Sequence, residues 1–479
     1  MIETINANCL DVLKETAANS QDLIFCDPPY ALGSDVIIRK DGKPDYRKAV
    51  DFMSKWQQPD GYFWEQWFNE AFRVLKYGGR VVMFGMDRQL MLNKYYACFA
   101  GFAEQQSLYW FFISSFPKAS DLGKMLDKNA GAKREVVGFT NRHTTKHKEN
   151  GTSIVLARNG VCEETGKTFE TTPATTLAQK YNGMKYSIAP LKQTNETILV
   201  FQKPYKTGSC LHDTLAYENG DDTCMCGAVD VEGNRCGFES ENDKALSTSI
   251  RLNSNTYKDR STISFKQNFL NERGHENGRY PAQTYCDDEA AKVLDRQSGN
   301  CGGHGVKTKK IYDAKAGTNT YGVQDRQVFS HNDTGGCSRI LHRCNYDLND
   351  YDIYMYCPKV SNKERNEGCE VLEEKRRATL AGADNDGVLD DVSERFRTSP
   401  AKNHHPTVKP IALLKKIIQL FKTPNPLHVL DPFMGSGSMG IACIELGVSY
   451  TGVELDTEYY TIAQTRLSHH NTKNKSKLF

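Results

Sequence analysis

Residues 427–440 read LHVLDPFMGSGSMG, and their order decides the architecture. Leu427 to Leu430 is a short apolar run of strand character that ends at Asp431 and Pro432. Gly435, Gly437 and Gly440 then open a helix of small and apolar residues, Ser438 to Leu446, which Gly447 stops. The following run, Val448 to Glu454, is again a strand, and its terminal acid stands 19 residues after Gly435. Glycines let backbone N–H groups come close to a ligand, and a carboxylate one strand further on accepts protons from both ribose hydroxyls. The pattern fits a dinucleotide-binding fold and an S-adenosylmethionine site equally well, because both ligands carry an adenosine ribose. A tight structural turn would use the same glycines.

Working outward, Ile411 to Phe421 has the apolar spacing of an amphipathic helix, with Thr407 as its expected N-cap. Glu458 to Leu467 reads as a final helix, and Ser468 to Phe479 as a polar, frayed tail. At the other end of the chain, Gln21 to Cys26 reads as a strand and Phe63 to Leu75 as a helix whose stripe includes Trp64, Trp67, Phe68 and Ala71. Gly78-Gly79 is the expected stop of that helix. Arg80 to Gly85, Leu108 to Ile113 and Glu196 to Phe201 read as further strands, and this alternation predicts a parallel α/β sheet with the Trp64 stripe in its core.

The first of these strands runs into Asp27-Pro28-Pro29-Tyr30. An exocyclic amine on a nucleobase is a poor nucleophile because its lone pair is delocalised into the ring. Two acceptors on its N–H groups favour a pyramidal nitrogen. The carboxylate of Asp27 is one candidate acceptor and the carbonyl of Pro28 the other, held rigid because proline fixes φ. Tyr30 offers a ring on which an extruded base can stack. The same four residue types also make an ordinary strand-ending turn.

Asp27-Pro28-Pro29-Tyr30 after an apolar strand resembles the catalytic motif of the amino-group DNA methyltransferases. Asp431 to Gly437 resembles their S-adenosylmethionine loop, and Asn403-His-His-Pro-Thr-Val-Lys-Pro410 their third cofactor motif. With the catalytic motif first and the cofactor loop last, the order is that of the family's β group. Cys9-Leu-Asp-Val-Leu13, Leu75-Lys-Tyr-Gly-Gly79 and Gly452-Val-Glu454 fit as flanking pieces. The resemblance covers roughly residues 1–120 and 400–470. Ala189-Pro-Leu-Lys192, Gly278-Arg-Tyr-Pro281 and Leu294 to Gly299 are looser matches to long phage and bacterial members.

The resemblance implies a circularly permuted, Rossmann-like, mostly parallel seven-stranded sheet with a large inserted target-recognition region. It implies that S-adenosylmethionine contacts His405, Thr407, Lys409, Asp431, Phe433, Gly435, Ser436, Gly437 and Glu454. Thr407 and Lys409 belong near its methionine end and Glu454 at its ribose. The family usually has an acid where this chain has Asn8, a position that contacts the adenine amine; an amide oxygen still accepts there, with modestly weaker binding expected. Asp rather than Ser at position 27 tilts the target toward adenine N6 and away from cytosine N4. The implied reaction is methyl transfer to duplex DNA, by Asp27, Pro28, Pro29 and Tyr30, with no covalent intermediate.

The expected organisation is a catalytic half over 1–204, the recognition region over 205–400, a cofactor half over 401–470 and a polar tail over 471–479. The 205–400 region is rich in Gly, Asn, Asp, Ser and Thr and reads as short strands and loops; within 301–345, seven Lys and Arg face three Asp, a candidate phosphate-contacting surface or a solvated loop face. The whole chain of 479 residues carries a net charge of only +2, so bulk charge does not attract nucleic acid. No apolar run reaches the length of a membrane span, and the N-terminus reads as no secretion signal. The 15 cysteines read as free thiols in a reducing cytoplasm. Cys210, His212, Cys224, Cys226 and Cys236 lack the usual zinc spacing, so no metal is expected. A monomer and a homodimer both stay open, a restriction endonuclease partner is unassigned, and a nicotinamide oxidoreductase or an inactive DNA-binding scaffold are the rival classes. The oxidoreductase leaves Asp27 to Tyr30 unexplained, and the inactive scaffold needs no intact catalytic loop.

Overall fold

The computed structural model describes residues 1–29, 36–46, 60–85, 87–112, 118–140, 168–238, 241, 244–245, 275–286, 288–298, 301–302, 334–335, 342–343, 360–375 and 401–476. They fall into two compact units, one of residues 1–230 with 345–479 and one of residues 231–344.

The first unit is built in chain order from β1 (Ile2–Asn6), α1 (Cys9–Glu15), β2 (Gln21–Cys26), α2 (Gly61–Val74), β3 (Leu75–Gly85), α3 (Asp87–Phe99), β4 (Leu108–Phe111) and β5 (Asn195–Gln202). It continues with α4 (Cys210–Glu218), α5 (Ile411–Phe421), β6 (His428–Asp431), α6 (Ser438–Leu446), β7 (Ser449–Glu454) and α7 (Thr457–Ser476). Its sheet has the order β1-β7-β6-β2-β3-β5-β4. Neighbours from β1 to β3 are parallel, and β5 alone runs against both β3 and β4. A two-residue strand, Ala103–Glu104, also pairs with β5. The predicted seven-stranded, mostly parallel sheet is therefore present, with the C-terminal strands inserted between β1 and β2.

Helices cover the sheet because its strands are apolar on both faces: β2 is buried from Asp22 to Cys26. Trp64, Trp67, Phe68 and Ala71 of α2 are fully buried against Ile24, Val81, Met83 and Phe201, so the aromatic stripe is core. The Asp60 side chain caps α2, accepting from the Phe63 N–H at 2.9 Å.

Three local expectations need correction. Gly78-Gly79 does not stop α2. The helix ends at Leu75, and β3 runs straight through both glycines. Gly78 has φ +85°, and a Cβ there would meet the Met225 carbonyl at 2.9 Å, so the glycine serves close backbone approach. Thr407 does not cap α5. Pro410 holds the N-cap position without a side-chain bond, and Glu364 Oε1 accepts the Ile411 N–H at 2.7 Å instead. Pro410 keeps the preceding backbone extended, which places Thr407 too far upstream to cap. Finally, α7 continues to Ser476 and takes in most of the expected frayed tail, because Arg466, Leu467 and His470 are buried against the body of the unit.

Between β4 and β5 lies a small lobe not read from the sequence. In it Lys118–Asp121 pairs with Lys185–Ala189, Val136–Thr140 pairs with Thr168–Thr171, and buried Asp127 accepts from Arg134 at 2.6 Å. In the second unit, Thr284–Cys286 pairs in parallel with His342–Arg343, and helix Asp288–Ser298 follows the first of these strands. Apart from residues 301–302, 334–335 and 342–343, the basic stretch 301–345 lies outside the described residues. No helix among the described residues is long and apolar enough to cross a membrane.

Candidate active site

The strands β6 and β2 are adjacent and parallel, with Val429 opposite Leu23 and Leu430 opposite Ile24. Asp431 and Asp27, 404 positions apart in sequence numbering, therefore emerge side by side at the same edge of the sheet. From β6 the chain turns outward to β7, and from β2 it turns the other way to β3. This is the switch point of an open α/β sheet, where a crevice forms between diverging connections. A cleft of about 740 Å³ opens there. Asn8, Asp27, Pro28, Pro29, His405, Thr407, Lys409, Asp431, Phe433, Gly435, Ser436 and Glu454 all line it. Of the residues expected in the site, Tyr30 lies outside the described residues and Gly437 does not line the cleft.

The loop after β6 is held from several sides. Asp431 Oδ1 accepts the Phe433 N–H at 3.1 Å, and Tyr450 donates its hydroxyl to Oδ2 at 3.3 Å. The Phe433 ring rests on Trp64 and Trp67 with centroids 6.1 and 5.9 Å away, which anchors the loop to α2. Gly435 has φ +55°, and a Cβ on it would stand 2.8 Å from His405 Nε2. Only glycine allows both that backbone angle and that approach. Gly437, at φ +79°, begins α6, and a Cβ on it would meet Ala463 of α7 at 3.2 Å, so it packs helix against loop. From α7, buried Arg466 donates to the Ser436 carbonyl at 2.6 Å and to the Ser436 and Ser438 hydroxyls at 3.2 Å each.

The segment that resembles the third cofactor motif is pinned by residues some 40 positions upstream. Arg365 Nη1 donates to the His405 carbonyl at 2.6 Å, Asn403 Nδ2 donates to the Arg365 carbonyl at 2.9 Å, and Asn366 Oδ1 accepts the Asn403 N–H at 3.0 Å. The short helix Asn362–Asn366, in the 205–400 region read as short strands and loops, thus backs the segment that lines the site. His405 Nδ1 lies 2.9 Å from the Thr407 carbonyl, which assigns the ring proton to Nδ1. Burial, with Arg365 close by, pushes the His405 imidazole down to about 3, so it is neutral.

Two carboxylates dominate the cofactor side. Glu454 Oε2 accepts the Gly435 N–H and Oε1 the Asp456 N–H, each at 2.8 Å. Burial nevertheless raises Glu454 to about 7, and burial together with the neighbouring Asp27 and Glu454 charges raises Asp431 to about 8. Acids held this way favour a ligand that brings hydroxyl donors or positive charge. The side-chain oxygen of Asn8 already caps α1, accepting the Leu10 N–H at 2.9 Å. It retains a second lone pair toward the cleft.

On the opposite wall, Gln89 of α3 donates to the Pro29 carbonyl at 3.3 Å and steadies the turn after β2. Lys409, expected at the cofactor's methionine end, lines the cleft and donates its ammonium to Asp27 Oδ2. Sequence reading missed Gln89, Arg365 and Arg466. They belong to no motif, and only long-range packing brings them to the cleft.

A family profile described as DNA methylase (N6_N4_Mtase) matches residues 21–465. The type II methyltransferase M.HinfI of Haemophilus influenzae is 40% identical over 74 residues, which are 15% of this chain and 20% of that protein. The DNA adenine methyltransferase YhdJ of Escherichia coli (strain K12) is 40% identical over 78 residues, 16% of this chain and 26% of that protein. The longest of these matches, to M2.LlaDCHI of Lactococcus lactis subsp. cremoris, is 30% identical and still spans only 45% of that relative and 26% of this chain. The chain therefore spans less than half the length of the curated relatives it matches. Among solved structures, the M1.HpyAVI–SAM complex aligns over 98% of this chain and 100% of that one, with a TM-score of 0.33 and 13% identity. The profile runs from the start of β2 into α7, and the chain belongs to the N6/N4 DNA methylase family.

Proposed function

We propose that the protein transfers a methyl group from S-adenosylmethionine to the N6 amino group of adenine in duplex DNA, at a specific site. The observation that carries the reading is the single cleft in which Asp27-Pro28-Pro29 and the loop Asp431 to Ser436 with Glu454 stand together. The cofactor fits the donor set: Glu454 offers carboxylate oxygens to a ribose diol, Asp431 offers one to an ammonium, and Phe433 offers an apolar ring. S-adenosylmethionine, when bound, supplies an electrophilic methyl on a sulfonium.

The chain's own residues then have a positioning task. Asp27 and the Pro28 carbonyl accept the two N–H groups of the target amine, which frees its lone pair for attack on the methyl carbon. The methyl group would come from the sulfonium, whose sulfur would keep the bonding electron pair, and the amine proton would leave to water. Tyr30 stacks on the flipped base. Asn8, Thr407, Gly435 and Ser436 complete the cofactor side, with His405 behind the loop and Gly437 supporting it. Two observations support adenine as the target: the name of the relative YhdJ, and the carboxylate at position 27 by the family's tendency. Duplex DNA is the partner, the cytoplasm is the compartment, and the inserted region of about 205–400 selects the target sequence. The catalytic half over 1–204 and the cofactor half over 401–470 share the cleft.

The test is methyl transfer from labelled S-adenosylmethionine to mixed-sequence duplex DNA, followed by mass analysis of the nucleosides. N6-methyladenine is the expected product. N4-methylcytosine would keep the mechanism and refute the adenine assignment, and unlabelled DNA would refute the function.

A further inference from the structure

We propose that Lys409 is the positioning residue for Asp27, and that Glu196 holds Lys409 in that role. The inference rests on the methyl-transfer reading above. The three side chains come from distant parts of the chain. Asp27 follows β2, Glu196 stands near the start of β5, and Lys409 lies just ahead of α5. Lys409 and Glu196 are 6% and 7% exposed. The Lys409 ammonium bonds Asp27 Oδ2, stands 3.8 Å from Glu196 Oε2, and lies 4.6 Å from the centre of the Phe84 ring.

An ammonium this deep is stable only with compensating charge, and here two carboxylates and an aromatic face provide it. Its backbone setting is imposed by sequence. Lys409 precedes Pro410, which disfavours helical backbone at Lys409, so α5 starts only at Ile411.

The arrangement answers a chemical difficulty of the site. To accept an amine N–H, Asp27 must be ionised, because a protonated carboxyl presents a donor where an acceptor is required. Yet Asp27 shares the cleft with two further carboxylates, Asp431 and Glu454. A fixed ammonium on Asp27 Oδ2 supplies an opposite charge beside it and fixes the direction of the carboxylate. Burial in turn pulls the Lys409 ammonium toward losing its proton, and Asp27 opposes this. Glu196 adds a second opposing charge from the far side. Among the described residues, Asp431, Cys26 and His405 also interact with Asp27, and His405 is held neutral.

The test is the pH dependence of kcat, with cofactor affinity measured separately by calorimetry, for Lys409→Met, Lys409→Arg, Glu196→Gln and the double variant Lys409→Met/Glu196→Gln. Lys409→Met is expected to lower kcat about 100-fold at neutral pH. Its cofactor Kd should stay within about threefold. The wild-type rate should fall at alkaline pH as buried Lys409 gives up its proton, and Lys409→Arg, charged at every accessible pH, should lack that fall. Glu196→Gln should move that alkaline fall to lower pH, and the double variant should be no worse than Lys409→Met alone. A Lys409→Met kcat within about threefold of the wild type, or a cofactor Kd raised more than tenfold with kcat retained, overturns the role of Lys409. Additive losses in the double variant overturn the role of Glu196. Should Lys409→Met fail to fold, Lys409→Arg decides, and an unchanged alkaline limb refutes the proposal. An inactive wild type overturns this inference together with the function beneath it, whereas an active wild type with unmoved profiles overturns this inference alone.

Discussion

Asp431 and Glu454 show how single residues set the working range of the site. Burial lifts Asp431 to about 8 and Glu454 to about 7 when the cleft is empty. Below those values each carries a proton, and a ligand with an ammonium and ribose hydroxyls prefers each of them ionised. Binding therefore releases protons, and affinity must rise with pH. Calorimetric titration between pH 6 and pH 8.5 should show the cofactor Kd falling by up to about tenfold per unit in the lower part of that range. A Kd independent of pH would mean that neither carboxylate faces the cofactor's donors. At this scale the sequence was legible wherever a motif is local. Asp27, Asp431 and Glu454 each sit at a strand end, in a run of residues that carries its own meaning. The Lys409–Asp27 contact was not legible, because the partners are 382 residues apart and no local pattern encodes their meeting.

At the scale of elements, α5 over Ile411–Phe421 and α6 over Ser438–Leu446 follow directly from apolar spacing and from Gly447 in the left-handed region at φ +65°. The ends of other elements depended on distant side chains. Glu364, 47 residues upstream, supplies the cap that Thr407 was expected to supply. Arg466 supports the length of α7, and it ties that helix to the loop it faces through the Ser436 carbonyl and to the Glu364 carbonyl at 3.2 Å. Replacing Arg466 with Met removes the donor from buried acceptors, so Arg466→Met should cost about 3 kcal/mol in a denaturation experiment and weaken cofactor binding as well. Unchanged stability and affinity would show that the loop holds its shape without α7.

For the whole molecule, the connection order places the last strands, β6 and β7, between β1 and β2. The chain can therefore carry Asp27-Pro28-Pro29 first and the loop from Asp431 last and still form one cleft. The motif order made this sheet legible in advance. The lobe between β4 and β5 and the packing of residues 360–375 behind the cleft wall were not, since polar, aperiodic sequence gives no sign of which surface it will cover.

The division of labour between the two ends of the chain is the central claim, and one substitution tests it. Asp27→Ala removes the acceptor on one wall and leaves the loop from Asp431 to Glu454 untouched, so kcat and the S-adenosylmethionine Kd of this variant are the decisive pair. The account predicts a turnover loss of about a thousandfold with the Kd within about threefold of the parent chain. Full turnover in Asp27→Ala, or turnover lost only in proportion to cofactor binding, would contradict it.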